Sequence, residues 1–172
     1  MKKLIVLAVV ILGFTATSFA QTLTTNSKAV IVSSLTFAKG NDMDFGSLLS
    51  TAAAQTAVLT DDASGTISGV TKGSGGSTPK AAMFTITGAG GSPIVTFPSS
   101  ASLVATSGGT GTPMALTIKC KAVGGSGDIA SGSTVSFTNG SAVIYIGGSL
   151  ALAANQTAGT YQSSDFNVSV NY

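Results

Sequence analysis

Apolar and polar positions alternate along most of this chain, and clusters of Gly and Ser-Gly cut the alternation into short pieces. The clusters fall at 73–76, 88–91, 107–111, 124–127, 131–132 and 147–149. A two-residue period puts successive side chains on opposite faces, which is the signature of a half-buried strand. The pattern predicts strands over 29–37, 57–60, 66–72, 82–87, 94–97, 103–106, 114–123, 135–138, 143–146, 150–153 and 161–172. Met114–Val123 is the longest regular stretch: Met114, Leu116, Ile118, Cys120 and Ala122 share one parity, and Thr117, Lys119 and Lys121 the other. The Ala-rich segment 48–57 carries no apolar stripe, and the pattern reads it as loop. No amphipathic helix is expected after residue 20. Many short strands separated by Gly-rich turns predict an all-β sandwich or barrel. The Val, Ile, Leu and Phe positions are too well phased for a disordered linker.

The first twenty residues follow a different logic. Lys2 and Lys3 precede an uncharged apolar run, Leu4–Phe14, and Thr17-Ser18-Phe19-Ala20 places small residues at −3 and −1 of a cut after Ala20. That is the form of a secretory signal, and the run is shorter than the ~20 residues a membrane span needs. Cleavage would leave Gln21 first, an extension over 21–32 and one domain over 33–172, exported through the periplasm to the surface or medium. No stable membrane span is expected.

Composition narrows the chemistry. The chain has no His, Arg, Glu or Trp. Without His there is no ordinary Ser-His-Asp or Cys-His relay, and zinc, copper and haem lose their commonest ligand. A carboxylate-pair glycosidase needs only Asp and survives formally, but an enzyme is not expected. With Lys2 and Lys3 removed, six lysines face six aspartates, so the mature surface lacks the positive excess that nucleic-acid binding needs. The lone thiol, Cys120, falls on the apolar parity and reads as a buried small hydrophobe. Asp42-x-Asp44 and Asp61-Asp62 have spacings seen in calcium loops, but no Glu is available to close such a loop, and both read as turns. The Gly-rich runs do not match a phosphate-binding loop. No cofactor or metal is expected.

The C-terminal segment is the most regular. Phe166, Val168, Val170 and Tyr172 alternate with Asp165, Asn167, Ser169 and Asn171, which predicts one strand with one apolar face.

Several stretches together resemble a known family. They are Met43-Asp44-Phe45-Gly46, Ala82–Gly88, Val95-Thr96-Phe97-Pro98, Ile146–Leu150, Asn155–Tyr161 and Val168–Tyr172. In order and spacing they resemble the bacterial secreted family DUF4402, which is itself similar to pilin subunits of the chaperone–usher type. The resemblance implies an Ig-like, Greek-key β-sandwich completed by a donor strand. Chaperone–usher subunits carry a Gly 14 positions from the end, where Gly159 stands. Their aromatic is next to last, whereas Tyr172 is last. The resemblance marks an assembly interface: Ala29, Val30, Ile31 and Val32 as donor, with Gly159, Phe166, Val168, Val170 and Tyr172 bordering the acceptor. Its implied partners are like subunits, a periplasmic chaperone and an outer-membrane usher. The function it implies is a structural subunit of a surface fibre or envelope assembly. A self-contained secreted sandwich that binds a ligand is the competing reading, weakened by the scarcity of aromatic rings.

Overall fold

The computed structural model of this protein describes residues 28–29, 34–108 and 111–172. The signal segment, the start of the extension and Val30, Ile31 and Val32 lie outside the described residues. Residues Val32–Tyr172 make one compact unit. It is all-β, with antiparallel sheets packed face to face as a sandwich.

The strands are β1 (Thr36–Asn41), β2 (Gln55–Leu59), β3 (Ile67–Ser68), β4 (Ala82–Thr87), β5 (Ile94–Thr96), β6 (Ser100–Ser107), β7 (Met114–Ala122), β8 (Ser133–Thr134), β9 (Ser141–Leu152), β10 (Thr160–Gln162) and β11 (Ser169–Asn171). The large sheet runs β1-β4-β9-β7-β6-β10, with β2 and β3 attached beside β9; the small sheet runs β11-β5-β8. Their facing side chains form the core. Ile86, Ile144, Ile146, Leu150, Leu116 and Cys120 come from the large sheet, and Val95 from the small one. Phe37 stacks on Phe84 across β1 and β4, with ring centroids 5.1 Å apart.

Strand β9 organises the molecule. Its even-numbered residues from Ala142 to Leu152 are buried, and odd ones such as Val143, Tyr145 and Ser149 are half-buried. One edge carries β7 along most of its length. The other is shared: Ala82–Thr87 of β4 pair with Ile146–Ser141, then Gln55–Leu59 of β2 pair with Leu152–Gly148. The glycines at 147–148 read in the sequence as a turn dividing two strands. The structure instead carries one twelve-residue strand through them. A Cβ on Gly147 would lie 2.5 Å from the Leu59 carbonyl oxygen, and one on Gly148 would lie inside 3.0 Å of the Thr117 carbonyl oxygen. These glycines admit neighbouring backbone, a use of Gly that a sequence pattern cannot separate from a turn. The turn that does feed β9 is Asn139-Gly140. Both residues have positive φ, 54° and 76°, and Thr138 and Ser141 exchange backbone hydrogen bonds across it. This is the two-residue hairpin that Asn-Gly favours.

The C-terminal alternation also differs from the single strand expected. It is split into β10, on β6 of the large sheet, and β11, on β5 of the small sheet. The two halves nonetheless follow one bent ladder. Seven residue steps run from Gln162 to Ser169 on one side, and eight from Thr96 to Val104 on the other. Phe97-Pro98-Ser99 turns the corner, where Pro98 has no N–H to give the ladder. Ser131 holds the bend. Its Oγ accepts from the Phe97 N–H at 2.9 Å and donates to the Phe97 carbonyl at 2.6 Å. The segment 48–57 is loop as far as Ala54, and β2 begins at Gln55. Of the expected strand 66–72, Ile67–Ser68 pair with β2, and Lys72 forms an isolated bridge with Leu48.

Candidate functional site

The small sheet covers only part of the large one. At the Leu152 end of β9 the inner face of the large sheet lies under an open cleft of about 810 Å³. Its floor is Leu103, Met114, Leu150 and Leu152, brought together because Leu116 pairs with Leu150 and Leu103 with Met114. One wall is Met43–Ser50, the chain that follows β1; the other is Gln156–Gln162, the turn into β10. Gly46 bends the first wall with φ 68°, and Asp44 Oδ1 accepts its N–H at 2.7 Å. Asp44 is the one charged residue among the described residues lining the cleft.

The second wall is fastened by Gln156, 9% exposed. Its Nε2 donates to the Thr112 carbonyl at 2.7 Å and to the Tyr161 hydroxyl at 3.0 Å, and its Oε1 accepts from the Ala153 N–H at 3.2 Å. The Tyr161 hydroxyl in turn donates to the Thr157 carbonyl at 2.7 Å. Every polar atom of the amide is partnered, which rigidifies a loop that would otherwise follow solvent. Sequence reasoning missed Gln156, since a lone Gln in an Asn-Gln-Thr turn reads as surface.

The expected interface residues do not all meet at this cleft. Gly159 lines it; a Cβ there would stand 2.6 Å from the Ser107 carbonyl oxygen, so the wall packs backbone to backbone. Phe166, Val168 and Val170 lie beyond the corner, half-buried against the core and outside the cleft lining. β11 pairs only with β5 among the described residues, and its other edge is free. Tyr172, 38% exposed, is at the opposite end of the molecule, over Gly88 and Gly91. Ala29 is exposed; Val30, Ile31 and Val32 lie outside the described residues.

Charges gather elsewhere. Lys119 Nζ is 3.2 Å from Asp128 Oδ2, with Asp61 and Lys121 beside them. Partial burial, with the Asp128 carboxylate nearby, raises the Asp61 carboxyl above its ordinary 3.8, against opposing backbone hydrogen bonding and Lys121. A carboxyl with a raised folded pKa favours folding below its unfolded value and loses that contribution as pH rises through the folded value. Asp61→Asn should therefore raise stability at neutral pH and flatten its rise on acidification toward pH 3.8, read from urea melts at several pH values. An unchanged pH profile would remove Asp61 from this account. Asp62 moves the other way: the Ser64 hydroxyl, then Thr60 and backbone N–H groups, hold it below its ordinary range. That is the expected turn. Asp42 pairs with Lys39 at the surface, at 2.6 Å. Among the described residues no cluster of three or more His, Cys, Asp or Glu is placed to hold a metal. Cys120 is fully buried, and burial followed by the two nearby carboxylates pushes its thiol up to about 12, so it stays protonated. Among the described residues no helix is long and apolar enough to cross a membrane.

Neither the curated proteins nor the solved structures contain a match to this chain. One family model does match, the domain of unknown function DUF4402, and it spans residues 35–172, from just before β1 through β11. The chain belongs to the DUF4402 family.

Proposed function

We propose that this protein is a structural subunit of a bacterial surface fibre or cell-envelope assembly whose copies join by β-strand addition. The observation that carries this reading is the gap in the second layer. The aliphatic floor Leu103, Met114, Leu150 and Leu152 lies under an open cleft, and β10, beside one wall, has a free outer edge among the described residues. A free edge next to an uncovered apolar face invites an added strand. A strand presenting about four apolar side chains would contribute roughly 6–12 kcal/mol. That is comparable with the whole stability of a domain, about 5–15 kcal/mol. The same cleft gives a periplasmic chaperone a place to hold the subunit before a neighbour does, and the pilin-like, Ig-type character of the fold belongs to this reading. No reaction is assigned to the protein.

The experiment is the state of the exported protein. Light scattering and immunogold electron microscopy should show assembled species on cells and in purified material. A monodisperse monomer at all concentrations, with no assembled material on cells, would overturn the proposal in favour of a self-contained binding module.

A further inference from the structure

We propose that Asp61 and Asp128 share one proton, and that this proton fastens the glycine-rich turn 123–128 to the outer face of the large sheet. The turn is held in acid and loosened as the pH rises. Both residues lie outside the cleft lining, and the device does not depend on the assembly reading.

The backbone brings the two carboxyls together from opposite edges of β9. On one edge β4 pairs as far as Ile146, and β2 takes over at Gly148. A Cβ on Gly147, the residue between, would lie 2.8 Å from the Thr60 carbonyl oxygen. Odd-numbered residues of β9 face outward, so the chain leaving β2 crosses the outer face of the strand there. The crossing loop is well bonded. The Thr60 N–H donates to the Thr66 carbonyl and the Thr66 N–H to Thr60 Oγ1, both at 2.9 Å. Asp62 is turned into the same loop, accepting from the Thr60 hydroxyl and the Ser64 N–H. Asp61 is left to face β7, on the other edge of β9, where Asp128 stands. Asp128 closes the turn that follows β7. Its backbone bridges to Lys121, the Ile129 N–H donates to the Cys120 carbonyl at 2.7 Å, and the Gly125 N–H donates to the Ala122 carbonyl at 3.0 Å. Beyond these roots the turn stands clear: nothing lies within 4 Å of a Cβ at Gly124 or Gly127.

The chemistry of the pair calls for a proton. Asp61 Oδ2 is shut off from water and receives no hydrogen bond among the described residues. A buried oxygen left in that state is costly. The Asp128 carboxylate lies within hydrogen-bonding reach of Asp61, and two carboxylates can bond only through a proton. With the proton on Asp61, its O–H donates to Asp128, whose Oδ2 keeps Lys119 Nζ at 3.2 Å. Without it, two negative charges face each other across β9. The neighbours set the balance. Lys119 and Lys121 on β7 draw both anions, Tyr145 on β9 pairs in register with Lys121, and the Cys120 thiol is buried and protonated. Burial first, then Asp128, raises the Asp61 carboxyl above 3.8, so the latch is lost as the pH rises through a midpoint above that value.

Amide exchange followed by NMR, corrected for the intrinsic effect of pH, tests this. Protection of the Ile129 and Gly125 amides should fall by about fivefold as the pH rises through the Asp61 transition. The carboxyl carbons of Asp61 and Asp128 should report that step together. Asp61→Asn keeps a donor that does not titrate, so protection should stay high at every pH. Asp61→Ala should show the low value throughout. Protection at Ile129 that ignores pH, or that falls equally in Asp61→Asn, would overturn the inference. So would a change of equal size at Gly132, whose N–H donates to the Val95 carbonyl of the small sheet, because the whole domain and not the turn would then be responding.

Discussion

Gly148→Ala should lower the melting temperature by about 6–12 °C, a larger loss than one methyl normally causes. The new Cβ would point to the buried side of β9 and fall inside 3.0 Å of the Thr117 carbonyl oxygen, with the Ile118 Cα at 3.3 Å. Both neighbours are backbone of β7, the strand paired to β9 at this point. A crowded side chain escapes by changing rotamer, but a paired strand has no such freedom, so the ladder itself must spread. Overpacking costs about 1–3 kcal/mol where side chains absorb it, and this site belongs at the top of that range. For a domain of this size each kcal/mol moves the midpoint by about 2–4 °C. Gly127→Ala is the control, because nothing lies within 4 Å of a Cβ there. The measurement is calorimetry of both variants. Midpoints within about 2 °C of each other would show that β7 and β9 tolerate the methyl, and the account of Gly148 would fall. The substitution also bears on the cleft, because Leu150 and Leu152 are held in place only if β9 continues past Gly148.

The history of that glycine shows how much of the fold is legible in the sequence. Alternation is a local property, and it marks Ala82–Thr87, Met114–Ala122 and the buried parity of β9 because each strand has one wet and one dry face. What alternation cannot carry is the identity of the partner. Gly147-Gly148 looks like a turn when only its own neighbours along the chain are considered. It becomes a strand interior once the backbones of Leu59–Thr60 and Thr117 are known to lie against it. The C-terminal segment fails in the opposite sense. Phe166–Tyr172 alternate and the segment back to Tyr161 reads as the same strand, although Tyr161 stands on the opposite parity; its partner bends at Pro98 and takes it from one sheet to the other. The candidate site suffers most from this limit. The aliphatic floor is visible as parities and Gly159 only through the family resemblance, but a cleft is a relation among five distant stretches, from Met43 to Gln162. Gln156 gives no local signal at all, because its role depends on Thr112, more than forty residues upstream.

Gln156→Leu should cost about 2–3 kcal/mol and loosen the wall of the cleft without disturbing its floor. Leu is close to Gln in size and cannot hydrogen-bond, so the change removes the amide's three bonds. Three hydrogen bonds go with it, leaving the Thr112 carbonyl, the Ala153 N–H and the Tyr161 hydroxyl to find other partners. A buried group left unpaired costs about 1–3 kcal/mol, and the nearby open cleft lets water answer some of the three, which keeps the total below their sum. Tyr161→Phe should cost less, about 1 kcal/mol. It removes a hydroxyl that joins Gln156 to the Thr157 carbonyl but leaves the other two amide bonds in place. Because the two side chains share one hydrogen bond, the double variant should be less damaged than the two single losses added together. Urea titration separates these outcomes, since an unchanged slope with a lower midpoint reports stability alone. Limited proteolysis supplies the local reading: cleavage should appear first within 154–162, ahead of global unfolding. A Gln156→Leu protein within about 0.5 kcal/mol of the parent would mean that the amide is ornamental and that packing alone holds the wall. Loss of stability together with loss of assembly, against Gly127→Ala as the reference for both, would tie the rigidity of this wall to the capture of a neighbouring strand. A preformed edge costs a binding strand less ordering entropy than one that must be built as it docks.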